Sequence, residues 1–196
     1  MGVDMEKMWI HEKLKNSIGI KRYEHSVNVM NVSIDLANHY GYSTKKAAMA
    51  GLLHDCGKLQ DKKNILKLTQ DFGIILDNVT KNNKELVHAL LGKELAKREY
   101  NVDDEEILDA IRFHTTGREN MNLIEKIVYI ADVIEPNRDF PGIEKIRNMA
   151  YKDIDRSVLY SMNNTIKFLI DKGWLVHLDT IKGRNQLLNL KTWSEA

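Results

Sequence analysis

The sequence predicts an all-α protein built as a helical bundle, on three observations. Apolar residues recur at helical spacing through nearly the whole chain. The only two prolines, Pro136 and Pro141, leave the first two thirds uninterrupted. No alternating segment bounded by turn residues reads as a strand. Taking the elements in order, His25, Val29, Val32 and Leu36 fall on one face of a helix over residues 21–40. Ser43 heads an Ala-rich stretch as its N-cap, and Gly57 implies that this helix ends just after Asp55. His88, Leu91 and Leu95 share a face within residues 84–100. Asp103 with Glu106 reads as a capping box, with Val102 and Ile107 at the spacing of a hydrophobic staple. That helix carries Ile107, Ile111 and His114 on one side. Two more helices are expected over Leu123–Ile134 and residues 154–172, the latter stopped by Gly173.

Composition narrows the function classes. The chain has 196 residues, 43% of them apolar, enough for one sizeable core and one domain over 1–196. Lys and Arg (29) nearly cancel Asp and Glu (28), which lacks the basic footprint of a dedicated nucleic-acid binder. The single cysteine, Cys56, cannot pair internally and suits a reducing compartment. The N-terminal residues hold no long apolar stretch, and Glu6 stands where a myristoylation signal after Gly2 needs Ser or Thr. A cytoplasmic protein without membrane attachment is expected. Apolar surface on every helix leaves a homo-oligomer open.

Chemistry is concentrated in histidines and aspartates. Taken singly, His25, His88 and His114 read as hydrogen-bonded core residues, and Asp132 as an exposed carboxylate. Together they form a set: three histidines on the inward stripes of three helices, with His54-Asp55 at the end of a fourth. Pro136 disfavours helical geometry at Glu135, so Asp132, like Asp55, stands near a helix C-terminus. A carboxylate there opposes the helix dipole at a cost of up to about 1 kcal/mol, and its apolar flanks add desolvation. A divalent cation offsets both; Lys58 is the plainer alternative. Imidazoles with carboxylates suit first-row transition metals, whereas calcium wants oxygen ligands and one cysteine cannot build a thiolate site. Glu24 and Asn28 are nearby acceptors that could orient the imidazoles.

The ordered set His25, His54-Asp55 and Asp132 resembles the H…HD…D signature of the HD phosphohydrolase superfamily, with the longer motif present as His54-Asp55-Cys56-Gly57-Lys58. The segments His114-Thr115-Thr116-Gly117-Arg118 and Ala131-Asp132-Val133-Ile134-Glu135-Pro136-Asn137-Arg138 resemble the bacterial YqeK family, similar to symmetrical diadenosine tetraphosphate hydrolases. The likeness runs over about 22–185. It implies an HD-domain helical bundle with a motif region over about 20–140 and helices over about 143–196 completing a nucleotide site. It further implies iron, with manganese or another divalent transition metal as the alternative, held by His25, His54, Asp55 and Asp132. His88 and His114 then serve a second metal or the nucleotide phosphates. Nucleotide contacts are implied for Arg22, Thr115 and Arg138, and for the stretch Leu175, Val176, His177, Leu178, Asp179 and Thr180. Leu178 stands where relatives commonly have proline. No Gly-Tyr-Pro triplet occurs, which argues against the cyclic-dinucleotide branch.

Hydrolysing a phosphoanhydride requires a nucleophile and neutralisation of dense negative charge. If Asp55 bridges two metals, His25, His54 and Asp132 complete one side, and His88 and His114 the other. Lys58, Arg138 and Arg118 are the cations available for phosphate oxygens, with Arg138 the better of the two arginines. The expected enzyme cleaves diadenosine tetraphosphate into two ADP, with Asp55, His88, His114 and Lys58 catalytic and ADP or GDP as product or ligand. The alternatives are a mononucleotide phosphohydrolase of the same fold and a non-catalytic metal- and nucleotide-binding sensor. Trp9, Trp174 and Trp193 read as packing residues, and Met8, Met30, Met49 and Met162 as core fillers. Lys45-Lys46 and Lys62-Lys63 read as solvated faces.

Overall fold

The computed structural model describes residues 8–192, apart from the side chains of 62–64, 84 and 190–192. Trp193 and the Lys62-Lys63 side chains therefore lie outside the described residues. Among these residues the chain forms helices and no strand. They are α1 (Met8–Ile18), α2 (Ile20–His39), α3 (Thr44–Leu53), α4 (Lys62–Asp71), α5 (Asn78–Asn82), α6 (Lys84–Glu99), α7 (Glu105–Phe113), α8 (Leu123–Ile134), α9 (Ile143–Ala150), α10 (Ile154–Asp171) and α11 (Leu178–Thr192). None is long and apolar enough to cross a membrane.

Local chemistry sets most helix starts. The Ser43 side chain accepts from the Lys46 amide at the head of α3. A reciprocal capping box joins Asn122 and Glu125 at the head of α8. On α7 the N-cap is Asp104, whose carboxylate accepts from the Glu106 amide, and not Asp103 as the spacing had predicted. Both carboxylates can cap; Asp104 is the one also paired with Lys46, at 2.8 Å. The same pair shows that Lys46 is engaged with acidic partners and is not a free solvated charge. The staple residues Val102 and Ile107 are both buried in one cluster.

Two apolar clusters divide the interior. One combines Ile10 and Leu14 with Leu53, Leu91, Leu108 and Ile111, drawn from α1, α3, α6 and α7. The other combines Val29 and Leu36 with Ile130, Ile146, Val158 and Met162, drawn from α2, α8, α9 and α10. Helix α3 packs against α2, α7 and α8, so its C-terminal end enters the seam between the clusters. Met30 and Met49 pack at the edge of the first cluster and Met162 is fully buried, but Met8 is 47% exposed and fills no core. It begins α1, where only Ile10, Leu14 and Ile18 face inward.

Candidate metal centre

Five segments bring their polar side chains to the seam. His25 projects from α2, His88 from α6 and Asp132 from the last turn of α8, while His114 is the C-cap of α7. Helix α3 stops at Leu53, two residues short of the end that Gly57 implies, so His54 and Asp55 lie in the tight turn that follows. That turn ends at Gly57, which packs against the backbone of α6: a Cβ there would stand 2.1 Å from the His88 carbonyl oxygen. The turn and the helix carrying His88 are thereby fixed to each other.

Asp55 is the hub. Its Oδ2 lies 3.8 Å from His25 Nε2, 3.5 Å from His54 Nε2 and 3.0 Å from Lys58 Nζ. Its Oδ1 lies 3.1 Å from His88 Nε2 and 3.5 Å from His114 Nε2. Asp132 Oδ1 stands 3.0 Å from His25 Nε2 and 3.9 Å from His54 Nε2. Arg138 closes the outer side, its Nη2 2.5 Å from Asp132 Oδ1 and its Nε donating to the Asp132 carbonyl at 3.0 Å.

Backbone carbonyls set the imidazole tautomers. His54 Nδ1 donates to Gly51 O at 2.7 Å, and His114 Nδ1 to Ile111 O at 2.7 Å. A carbonyl only accepts, so Nδ1 carries a proton in each ring and Nε2 is the nitrogen turned inward. For His25 the acceptor is Glu135, 3.2 Å from Nδ1 and itself hydrogen-bonded by Asn28 at 3.0 Å. Glu24, which neighbours His25 in sequence, is exposed. Burial lowers the pKa of His54 to about 4, leaving it neutral at physiological pH. Burial lowers His88 as well, despite Asp55. Burial opposes ionisation of Asp55 and Asp132, yet the surrounding imidazoles hold both well below the usual carboxylate range.

This arrangement fits a divalent cation. His25, His54 and Asp55 offer ligand atoms all within 4.8 Å of one another, as do His54, His114 and Asp132, and Asp55, His88 and His114. His54 Nε2 and Asp55 Oδ1, both turned into the cluster, are buried without a hydrogen-bond partner. Orphaned buried polar atoms each cost about 1–3 kcal/mol, and coordination would satisfy such atoms. The donor set of nitrogen and oxygen is that of first-row transition metals. Cys56 takes no part: burial raises its thiol pKa, and Sγ donates to Gly92 O at 3.3 Å.

The other predicted residues are placed less uniformly. Thr115 directly follows His114, and its hydroxyl is buried without a partner. Arg22 is exposed at the rim and donates to the Lys58 carbonyl at 3.2 Å. Arg118 is not a free cation: it donates to both Glu125 oxygens at 2.7 and 2.8 Å and to Asp109 at 3.0 Å, and so holds α7 to α8. The stretch Leu175, Val176, His177, Leu178, Asp179 and Thr180 makes no hydrogen bond or ion pair with the His–Asp cluster among the described residues. Its contacts lie elsewhere, His177 Nε2 being 3.2 Å from Asp77 Oδ2 and Gly183 of α11 lying against the Arg118 carbonyl. Trp174, just before it, is 58% exposed with its ring edge-on to Phe168, so packing does not account for it. Trp9 is likewise exposed, stacked on Tyr100.

Known proteins place the chain in a family. The HD domain family matches residues 22–137, and the chain belongs to that family. It is 43% identical over 167 residues to the symmetrical bis(5'-nucleosyl)-tetraphosphatase of Halalkalibacterium halodurans, covering 85% of this chain and 89% of that protein. It is 42% identical over 179 residues to the Bacillus subtilis protein of the same name, covering 90% and 94%. A crystal structure from Clostridium acetobutylicum, described as a "predicted HD superfamily hydrolase involved in NAD metabolism", superimposes with a TM-score of 0.88 at 46% identity, covering 92% of this chain and 96% of that one. The HD domain brings with it a divalent-metal-dependent phosphohydrolase, and the His–Asp cluster is a group of side chains that could hold such an ion.

Proposed function

We propose that this chain hydrolyses diadenosine tetraphosphate symmetrically, water adding across the central P–O–P bridge to release two ADP. The observation that carries the reading is a His–Asp cluster rimmed by Lys58 and Arg138 in a chain 43% identical to a protein named for that reaction. Iron is the metal we assign, with manganese as the substitute, on His25, His54, Asp55 and Asp132; His88 and His114 face the other oxygen of Asp55 and serve a second ion or the phosphates. When bound, such a cation supplies Lewis acidity and lowers the pKa of a coordinated water to about 7.

The chain's own groups then bind and orient. Lys58 and Arg138, now drawn to Asp55 and Asp132, are the cations nearest the centre and meet the non-bridging phosphate oxygens. The Arg138 fork suits bidentate contact with a phosphate. The unpartnered Thr115 hydroxyl donates to another phosphate oxygen. Arg22 and the stretch 175–180 flank the nucleoside, so that residues 143–196 complete one site within a single domain over 1–196. A cytoplasmic location suits this substrate and the free, buried Cys56.

The products decide the matter. Purified protein given manganese(II) and diadenosine tetraphosphate yields ADP as the sole nucleotide product on anion-exchange chromatography. AMP together with ATP contradicts the central cut.

A further inference from the structure

Glu135 is 2% exposed, and among the described residues the Lys or Arg side chain closest to its carboxylate is Arg138, whose Nε lies 3.9 Å from Oε1. Burying a carboxylate is costly unless its oxygens are met by donors. Here Oε1 lies 3.2 Å from His25 Nδ1, while Oε2 accepts from Asn28 Nδ2 at 3.0 Å and from the Asn137 amide at 2.9 Å. A carboxylate only accepts, so Nδ1 of His25 carries a proton towards Glu135, and Nε2 is the ring nitrogen turned towards Asp55 and Asp132. An amide cannot replace it: with one oxygen on His25, its NH2 would face the Asn28 and Asn137 donors.

Glu135 also begins the turn that delivers Arg138. Pro136 forces it out of the helix, to φ −53° and ψ 153°. The last carbonyls of a helix lack intrahelical donors. On α9, Arg147 meets that need: Nε donates to Ile134 O at 3.1 Å, and Nη2 to Glu135 O at 3.1 Å and to Arg138 O at 3.0 Å. One planar guanidinium thus clamps three carbonyls from outside the cluster, a geometry that an ammonium cannot span. The turn has Glu135 on His25 at one end and Arg138 on Asp132 at the other.

We infer that the turn 135–138 is a bracket for the metal centre, locked from behind by Arg147, so that Glu135 and Arg147 are positioning residues for His25 and Arg138. This rests on His25 and Asp132 being metal ligands. The test is manganese(II) affinity, measured on folded protein by chelator competition, beside steady-state kinetics and thermal melting of the metal-free forms. Glu135→Gln weakens manganese binding by about 10–100-fold, the range found when a ligand's orienting partner is lost. Arg147→Ala weakens it less and also raises KM for the dinucleotide, because Arg138 is displaced; Arg147→Lys restores only part of either. Asn28→Ala, which removes one donor from Oε2, weakens binding a fewfold and serves if the others fold poorly. Lower melting temperatures with native manganese affinity and native KM would mean a merely structural role and overturn the inference. A native protein that binds no manganese overturns the metal reading itself, a distinct failure.

Discussion

Asp55→Ala lowers kcat/KM for diadenosine tetraphosphate by at least about a thousandfold, some 4 kcal/mol of transition-state stabilisation. Among the described residues, Asp55 is the carboxylate with one oxygen towards each set of imidazoles. One Asp55 oxygen lies among His25, His54 and Lys58, the other between His88 and His114. Its removal separates the two halves of the cluster and leaves the Lys58 ammonium without the carboxylate it approaches at 3.0 Å. The scaffold is expected to survive, because the apolar clusters do not depend on Asp55 and the turn around it is held by backbone hydrogen bonds, Cys56 N to Leu53 O and Lys58 N to Asp55 O. Kinetics with saturating manganese, beside a far-UV spectrum of unchanged helicity, checks the expectation. Activity within tenfold of native would show that Asp55 is not at the centre of the chemistry.

Gly57→Ala is the second large effect, and its origin is steric. The new methyl would lie 2.1 Å from His88 O and 2.9 Å from Gly92 N, both backbone atoms of α6 that no side-chain rotation can move. Either α6 retreats or the turn after α3 opens, and each pulls His88 away from Asp55. Forced overpacking costs about 1–3 kcal/mol and occasionally more, and a rigid backbone clash belongs at the upper end. For a chain of this size, about 3 kcal/mol corresponds to a melting temperature lower by roughly 6–12 °C. Thermal denaturation of the metal-free protein measures it, and activity is lost beyond what the unfolded fraction explains. A melting temperature within about 2 °C of native would mean that the turn has room the structure does not show.

The interior of the fold was legible because helical spacing is redundant: Val29, Leu36, Leu91 and Ile111 each repeat the signal of their neighbours, and all are buried. The cluster was legible for a different reason. Histidine and aspartate on apolar stripes are expensive unless something compensates them, and His54-Asp55 carries that anomaly in two adjacent residues. Helix ends were read less well. Asp103 and Asp104 can both cap α7, and only the position of Lys46 on α3, far away in sequence, distinguishes them. Arg118 looked like a free cation because its partners Asp109 and Glu125 come from two different helices. Glu135 was missed although a signal existed: it stands one helical turn beyond Asp132, so the two share a face, and the following proline fixes its backbone. Trp174 gave none, since an exposed tryptophan and a packed one look alike in sequence.

Anomalous scattering at the manganese edge, from crystals grown with manganese(II) and ADP, tests the metal centre most directly. The expected result is a peak within about 2.0–2.3 Å of Nε2 of His25 and His54 and of a carboxylate oxygen from each of Asp55 and Asp132, the usual range for nitrogen and oxygen ligands. Density at the seam without an anomalous signal, or a peak found only among surface carboxylates, would contradict it.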